Sequence, residues 1–420
     1  MLKNIKKNIK KNIIEYCKKN KLFRKLVRLM ANLKGKINYS FYYYKYKVND
    51  KIILFEVFNG RNYSCSPKAI YECMIKDEKY KDYTFVWAFK NVNKHIKLSN
   101  ERTVLVKINS KNYFKYLSMS KYWVVNSLVT SAIKKKKNQL YIQCWHGTPL
   151  KKLRYDIEVE GNVLNSVKEI RRRNDLDAVK FDYFLSPSKF CTEKFTSAFN
   201  LKKLKKDNIL IEEGYPRNDY LINHKKSDVI KIKKALNIPK DKKVILYAPT
   251  FRDNQHTSGV GYTYNLGLDF DKLKKEFNDD YVILFRTHYF VSNSFDFTNY
   301  ENFIIDASKY DDINDLYIVS DMIITDYSSV FFDFANLKRP MLFYMYDLEE
   351  YKNNLRDFYF DLDVLPGPIV EKEKDLIKEI KNIDKYDKKY LKKYQKFNEK
   401  FNYLDDGSAT KRVVDIIFKI

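Results

Sequence analysis

The chain has 420 residues, of which 45% are hydrophobic and 16% aromatic. A single hydrophobic core stops growing at roughly 250–300 residues, so this length and apolar content predict two folded domains and exclude a disordered protein. The formal net charge of +27 predicts polyanionic partners such as nucleic acid, anionic lipid or phosphate-rich substrates, although a solvated basic surface accounts for part of it equally well.

The five cysteines are scattered and have no CxxC spacing, so neither a disulfide framework nor a zinc site is expected. This cysteine usage indicates a reducing cytosol. No stretch reaches the roughly 18 to 20 apolar residues of a membrane span, and the N-terminus lacks the apolar core of a signal peptide. We therefore expect the chain to stay on the cytoplasmic side.

Residues 1 to about 37 differ in composition from the rest of the chain. Apolar residues recur at helical spacing from Leu2 to Leu33, and the positions between them are rich in Lys and Arg with a single acid, Glu15. This pattern predicts a basic amphipathic helix or helix pair that lies on an anionic membrane surface. The alternative is a helix that packs on its own domain and exposes its basic face to solvent.

Short apolar runs alternate with polar, helix-period stretches from residue 51 onward, which predicts an α/β protein with parallel sheets. The predicted strands are 52–58, 84–89, 104–108, 122–125, 140–145, 183–185 and 209–211, followed by 244–247, 281–285, 303–305, 322–325 and 341–344. The two series predict two Rossmann-like domains over 46–225 and 226–400, after a basic segment over 1–45 and before a C-terminal helix over 401–420.

The first candidate motif is Trp145-His146-Gly147-Thr148-Pro149, where an apolar strand ends beside a predicted helix N-terminus. A histidine at such a strand end is suited to act as general base on a hydroxyl, because its ordinary pKa lies near neutrality. A lone histidine with a purely structural role is the alternative.

Further motifs follow later strands. Arg286-Thr287-His288 pairs two cationic side chains suited to a phosphate oxyanion, and Asp326-Tyr327-Ser328-Ser329 gives a hydroxyl-rich turn before a helix. A surface ion pair and a simple helix cap are the competing interpretations. Two smaller post-strand turns carry arginine, one with Arg217 and one with Thr250 and Arg252.

These segments together resemble the CDP-glycerol glycerophosphotransferase family of wall teichoic acid synthesis. The resemblance covers nearly the whole chain after residue 50. It is carried by ordered blocks at 58–67, 122–127, 145–148, 214–217, 247–250, 286–288 and 312–348. One departure lies after His288, where the family pattern leads us to expect Arg-x-His-Pro and the chain has Tyr289.

The resemblance implies a GT-B fold, in which the two Rossmann-like domains face each other across a cleft. The N-terminal domain would handle the acceptor and the C-terminal domain the CDP donor. His146 would be the base on the acceptor hydroxyl, with His288 as a second catalytic residue. The donor would be held by Arg286, Thr250, Arg252, Asp326, Ser328, Ser329 and Arg217. No cofactor or metal is expected.

The function expected from the resemblance is transfer of glycerol phosphate from CDP-glycerol to the hydroxyl end of a lipid-linked acceptor, with release of CMP, by a peripheral enzyme on the cytoplasmic face of the cell membrane. Ribitol phosphate transfer from CDP-ribitol and capsule-type phosphopolyol transfer are the near alternatives. A sugar transferase of the same GT-B architecture is a further alternative, and a basic nucleic-acid-binding protein is the distant one. Because no nucleic-acid module is recognised, no nucleic-acid partner is expected. The sequence leaves open primase against polymerase, wall teichoic acid against capsule, and the oligomeric state.

Overall fold

The computed structural model describes residues 9, 12–17, 19–158, 165–250, 256–257, 261–262, 267–287, 295–354 and 357–419. The strands are β1 (Asn49–Glu56), β2 (Thr84–Phe89), β3 (Thr103–Lys107), β4 (Ser120–Val125), β5 (Leu140–Gln143), β6 (Tyr183–Ser186), β7 (Leu210–Glu212), β8 (Lys243–Ala248), β9 (His256–Thr257), β10 (Gly261–Tyr262), β11 (Tyr281–Phe285), β12 (Ile304–Asp306), β13 (Met322–Thr325), β14 (Met341–Tyr344) and β15 (Ile369–Val370).

The α-helices surround these strands. They are α1 (Lys21–Lys45), α2 (Cys65–Met74), α3 (Lys111–Met119), α4 (Val167–Ala178), α5 (Lys189–Ala198), α6 (Asp219–Asn223), α7 (Lys226–Ala235), α8 (Phe270–Phe277), α9 (Ile313–Val319), α10 (Val330–Phe334), α11 (Leu348–Asn354), α12 (Glu373–Lys381), α13 (Tyr386–Phe401) and α14 (Ala409–Ile417).

Strands β1 to β7 form one parallel sheet in the order β3-β2-β1-β4-β5-β6-β7. Its central strands are continuous buried apolar runs, as expected for a parallel sheet that is covered on both faces. Helix α14 completes this core, because Val413, Val414, Ile417 and Phe418 belong to the same buried cluster as side chains of β1 and β2, and the Phe418 ring lies 4.7 Å from the Tyr122 ring of β4.

The second large sheet is also parallel and has the order β12-β11-β8-β13-β14-β15. Strands β8, β11 and β13 at its centre are likewise buried. The two sheets confirm the predicted α/β class with two Rossmann-like domains. The arrangement of those domains across a cleft stays a prediction.

The chain divides into two compact units. The first unit comprises 25–146, 168–222 and 403–420 and contains β1 to β7, whereas the second comprises 1–24, 147–167 and 223–402 and contains the other large sheet. This division differs from the predicted ranges in three main places. The predicted segment 1–45 is divided, with 1–24 in the second unit and the remainder in the first. Residues 147–167 belong to the second unit, and the C-terminal segment belongs to the first unit because α14 is part of its core.

Each large sheet has one point where the strand order reverses. In the first unit this switch point lies between β1 and β4, and in the second it lies between β8 and β13. Ligands of open parallel sheets bind in the crevice at the carboxyl ends of the strands on either side of such a point. The loops that follow these four strands are therefore the first places to look for function.

Helix α1 packs on the first unit along one side. The Asn32 side chain donates to Ser131 Oγ at 2.6 Å, and the Tyr39 side chain is buried. Gly35 lies close to Ala132, because a β-carbon at Gly35 would be 2.7 Å from the β-carbon of Ala132. Within the described ranges no helix is both long and apolar enough to cross a membrane.

Candidate active site

His146 follows strand β5, which is the neighbour of β4 at the switch point of the first unit. The chain turns at Trp145, whose φ of 49° is in the left-handed region. Gln143 supports this turn from inside the core, because its Oε1 accepts from the Trp145 amide at 2.9 Å and its Nε2 donates to the Ser127 carbonyl at 3.3 Å. The prediction that a strand delivers this histidine to the carboxyl edge of the sheet agrees with that geometry. The predicted helix N-terminus at Thr148-Pro149 is wrong, because residues 147–153 are irregular and only a short 3-10 turn follows at Arg154–Asp156.

The Nδ1 nitrogen of His146 contacts a backbone carbonyl. Nδ1 lies 2.7 Å from the backbone carbonyl oxygen of Asn126, the residue directly after β4. A carbonyl oxygen only accepts, so Nδ1 carries the hydrogen. In the neutral ring the lone pair is then on Nε2, the same division of roles as in a hydrolase in which a carboxylate holds Nδ1–H and Nε2 acts as the base.

Aromatic rings contact the imidazole on two sides. The Trp145 ring lies 4.3 Å from it, centroid to centroid, and the Phe58 ring meets it edge to face at 5.5 Å. Phe58 comes from the loop after β1, so the strands on both sides of the switch point contribute to the surroundings of His146. The imidazole itself is half-buried.

Arg217 also lies in the first unit, on the turn after β7. It is buried, its guanidinium stacks 3.8 Å above the Tyr215 ring, and its Nη1 is 3.9 Å from Cys65 Sγ at the start of α2. The sequence groups Arg217 with donor-binding residues that, where described, all lie in the second unit. Its donor role therefore stays a prediction.

Thr250 and Asp326 lie at the switch point of the second unit, after β8 and β13. One carboxylate oxygen of Asp326 accepts from the Thr250 amide at 2.8 Å and from the Tyr327 amide at 2.6 Å. The Thr325 hydroxyl adds a bond to the Ala248 carbonyl at 2.7 Å. Asp326 is thus a buried acceptor that fixes the backbone of both loops at the point where a ligand is expected.

Ser328 and Ser329 follow directly and are half-buried. Ser329 occupies the N-cap position of α10, but its side chain makes no capping bond, and α10 is only five residues long. A helix this short supplies little dipole, so the hydroxyls are better placed than the helix end to bind an anion. Gly147 lies against this turn: a β-carbon on Gly147 would be 2.5 Å from Ser329 Oγ, which explains the glycine after His146.

Arg286 follows β11 and is tied to the neighbouring loop. Its Nη1 donates to the carbonyl oxygens of Ala307 at 2.8 Å and of Tyr310 at 2.6 Å, and burial lowers the pKa of the guanidinium. These bonds stabilise the carboxyl edge of the sheet. The predicted contact of Arg286 with a donor phosphate stays a prediction.

Two predicted residues, His288 and Arg252, lie outside the described residues. Their roles stay predictions. In the described part of the chain, no group of three or more His, Cys, Asp or Glu side chains is arranged to hold a metal ion.

Sequence reasoning gave no role to Asn126, Phe58 or Gln143. The blocks at 58–67 and 122–127, which contain Phe58 and Asn126, contributed to the resemblance, and Gln143 lies just before the histidine motif. The residue types alone do not distinguish a side chain that positions another from one that only fills the core. The available signal was location, because Asn126 and Phe58 follow buried strands on the two sides of a switch point.

Comparisons with a family profile and with individual known proteins identify the same family. Residues 38–419 match the profile of the family described as CDP-glycerol:poly(glycerophosphate) glycerophosphotransferase. The teichoic acid poly(glycerol phosphate) polymerase of Staphylococcus epidermidis is 42% identical over 375 residues, which cover 89% of this chain and 51% of that protein. The teichoic acid glycerol-phosphate transferase of Staphylococcus aureus is 40% identical over 375 residues, covering 88% of this chain and 94% of that protein.

A solved structure is similar over the same range. The wall teichoic acid polymerase TagF, as a histidine variant soaked with CDPG, superposes with a TM-score of 0.82 at 41% identity, covering 94% of this chain and 97% of that one. This chain spans about half the length of the S. epidermidis polymerase.

Proposed function

The chain belongs to the CDP-glycerol:poly(glycerophosphate) glycerophosphotransferase family, and we propose that it transfers glycerol phosphate from CDP-glycerol to the hydroxyl end of a lipid-linked teichoic acid or related phosphopolyol acceptor. The observation that carries the proposal is His146: a family match over 38–419 coincides with a histidine whose Nδ1–H is held by a carbonyl, which leaves the lone pair of the neutral ring on Nε2.

The proposed reaction is a substitution at phosphorus. Nε2 of His146 takes the proton of the acceptor hydroxyl as its oxygen attacks the β-phosphorus of CDP-glycerol. The bond from that phosphorus to the bridging oxygen breaks, and CMP leaves with the bonding electron pair. The products are an acceptor longer by one glycerol phosphate, CMP and a proton, which His146 passes to solvent.

The second unit is proposed to bind the donor. Negative charge grows on the diphosphate oxygens during transfer, and preorganised donors lower the energy of that state. Ser328, Ser329, Arg286 and the fixed backbone at Thr250 and Asp326 are proposed to serve there. The structure of a related polymerase soaked with CDPG supports this choice of ligand.

Donor identity can be tested by measuring CMP release from CDP-glycerol and from CDP-ribitol, with a UDP-sugar as the third arm and a phosphopolyol acceptor in each. We expect CMP from CDP-glycerol, and product sizing then distinguishes one added unit from many. Faster CMP release from CDP-ribitol would favour the ribitol alternative. The absence of CMP from both CDP donors would exclude the proposal.

The base is tested by His146→Ala. General-base removal typically lowers the rate by about 100- to 10,000-fold, and we expect that loss with CDP binding retained, because the proposed role of His146 is to take the proton of the acceptor hydroxyl and not to hold the donor. Stopped-flow CMP release gives the rate and calorimetric titration with CDP the affinity. His224→Ala, which removes a histidine outside the site, is the matched control, and normal turnover by His146→Ala contradicts the assignment.

We further propose that the protein is peripheral on an anionic membrane through helix α1. The helix has an exposed apolar stripe on the side away from its buried Tyr39, with side chains between 49% and 80% exposed. The stripe comprises Leu26, Leu29, Met30, Leu33, Ile37, Phe41 and Tyr44. At about 3.6 residues per turn, Lys25 and Lys36 flank it on one edge and Lys34 and Lys45 on the other.

This arrangement suits an interfacial helix, whose apolar side chains enter the lipid while flanking lysines meet the headgroups. The test is co-sedimentation of the full chain with vesicles containing phosphatidylglycerol. Leu33→Glu with Ile37→Glu should weaken binding by about 100-fold or more, since each buried aliphatic side chain contributes roughly 1.5–3 kcal/mol. Ala31→Glu with Asn38→Glu adds the same charge on exposed positions of α1 outside the stripe. Equal losses for both pairs would mean that charge alone drives binding and would exclude apolar insertion.

A further inference from the structure

The loop after β1 adopts an unusual backbone conformation beside His146. Phe58, Asn59 and Gly60 have consecutive positive φ values of 47°, 54° and 73°. A glycine adopts this region readily, but a bulky residue such as Phe does so only when surrounding contacts hold it there. Strained residues of this kind concentrate at functional sites, so the contacts of this turn indicate what it positions.

Hydrogen bonds fix the turn along its length. The Phe58 amide donates to Asn126 Oδ1 at 2.8 Å, the Gly60 amide donates to the Val57 carbonyl at 2.8 Å, and the Gly60 carbonyl accepts from the Lys90 amide at 2.7 Å. Arg61 closes the turn, because its Nη1 donates to the Phe58 carbonyl at 2.7 Å. A β-carbon at Gly60 would lie 2.2 Å from Ile108 Cδ1 and 3.0 Å from the Lys90 amide nitrogen, so a side chain at this position would clash with its neighbours.

Asn126 connects the turn to the histidine. Its side chain is fully buried and holds the Phe58 amide, while its own backbone carbonyl accepts from His146 Nδ1 at 2.7 Å. Phe58 in turn presents its ring to the imidazole at 5.5 Å. Phe58, Asn126 and His146 therefore form a closed cycle of contacts, which comes from three strands that lie side by side in the order β1-β4-β5.

We propose that Phe58 and Asn126 are positioning residues that hold His146 in its Nδ1–H tautomer with a fixed ring plane. In water the neutral imidazole prefers the hydrogen on Nε2, which would leave no lone pair at the nitrogen needed as base. The Asn126 carbonyl reverses this preference, and the Phe58 ring prevents the rotation that would break the bond. The catalytic meaning of this clamp rests on the proposed function, but the tautomer does not.

The tautomer can be observed directly by nitrogen NMR of the full chain labelled with 15N-histidine. At about pH 8.5, well above the ordinary histidine pKa of about 6.5, each neutral ring gives one protonated and one unprotonated nitrogen. The chain has five histidines, and the pair lost in His146→Gln identifies His146. We expect protonated Nδ1 in the wild type. Protonated Nε2 overturns the proposal whatever the enzyme's activity.

Two variants break the clamp in different ways. Phe58→Gly removes the ring while suiting the left-handed backbone, and Asn126→Leu removes the acceptor of the Phe58 amide while keeping the ring. Both should give a mixture of tautomers. Because small misplacements of a reacting group can cost up to about 100-fold, we expect kcat to fall by about 10- to 100-fold while KM for CDP-glycerol stays unchanged.

Phe58→Tyr keeps an aromatic ring at this position, so this variant should retain most of the wild-type activity and the single tautomer of His146. Tyr83→Leu is the control, because it deletes a half-buried ring at the amino end of β2, on the opposite edge of the sheet. Clamp variants that keep the wild-type kcat overturn the positioning role. If the wild type releases no CMP from CDP-glycerol but His146 carries its hydrogen on Nδ1, the proposed reaction is refuted while the positioning of the tautomer by Phe58 and Asn126 still holds. Failure of the proposed function and failure of this inference are therefore distinguishable.

Discussion

Glu56 is a buried carboxyl group at the end of strand β1, directly before the loop that contacts His146. Burial raises its pKa from the ordinary 4.5 to about 7, against the opposing effects of hydrogen bonds from Tyr113 and Asn59 and of the charge on Lys90. The Tyr113 hydroxyl donates to Glu56 Oε2 at 2.8 Å. A group held in this way makes the stability of the first unit depend on pH.

The sign of that dependence follows from proton binding. Between pH 4.5 and about 7 the folded state keeps the proton that the unfolded state has released, so the contribution of Glu56 to the free energy of unfolding is fully present below pH 4.5 and is lost as the pH rises through about 7. Since one pKa unit corresponds to about 1.4 kcal/mol, the loss from this residue is on the order of 3 kcal/mol. Glu56→Gln should abolish this loss of stability, because glutamine does not ionise. The variant should therefore be more stable than the wild type at alkaline pH.

Urea unfolding monitored by tryptophan fluorescence reports on the stability of the first unit, which contains Glu56. Trp87, Trp123 and Trp145 are the three tryptophans of the chain, and all belong to the first unit. The midpoints of wild type and Glu56→Gln should coincide near pH 4.5 and separate by pH 8. Glu78→Gln changes an exposed glutamate of the same unit and should follow the wild type. If the urea midpoints of the wild type and Glu56→Gln change in parallel with pH, Glu56 does not have a raised pKa in the folded state.

At the level of elements, the sequence predicted the buried strands best. The predicted residues of β2, β11, β13 and β14 coincide with the observed strands, because a fully buried parallel strand is an apolar run with a defined beginning and end. The two-residue strand β15 and the β9–β10 pair escaped prediction, since a run this short gives no period to detect.

The candidate site was predictable only in part. His146, Thr250, Asp326 and the two serines lie after strands, as the motif spacing predicts. The left-handed turn at Phe58 was not predictable, because no propensity favours a positive φ for phenylalanine and the conformation depends on Asn126, which lies 68 positions further along the chain. Long-range hydrogen bonds of this kind override the local preference.

Helix α1 illustrates how tertiary contacts divide a helix surface. The sequence predicts an amphipathic basic segment, and one side of α1 packs on the first unit through Asn32, Gly35 and Tyr39. The apolar stripe that stays exposed lies on the other side. Packing of the helix and exposure of an apolar face therefore coexist, whereas the sequence presented them as alternatives.

On the scale of the whole molecule, the C-terminal segment is part of the first unit although it follows the second in the chain. Asp405 accepts from the Tyr215 amide at 3.1 Å and from Asn218 Nδ2 at 2.6 Å, and Asp219 accepts from the amides of Ala409 and Thr410. The apolar side chains of α14 then complete the core of the first sheet. The first unit is thus closed by residues that follow the second unit in the sequence.

A chain that ends at residue 402 should consequently lose the first unit while retaining the second. The truncation exposes the core beneath Val413, Val414, Ile417 and Phe418, each of which contributes roughly 1.5–3 kcal/mol by burial, and that sum is comparable to the roughly 5–15 kcal/mol of a whole domain. Tryptophan fluorescence should shift toward that of the unfolded chain, while calorimetry still records one cooperative transition, from the second unit. Lys411→Ala with Asp415→Ala removes only an exposed ion pair of α14 and should leave the tryptophan transition in place. Native fluorescence in the truncated chain would mean that the first unit folds without its last helix.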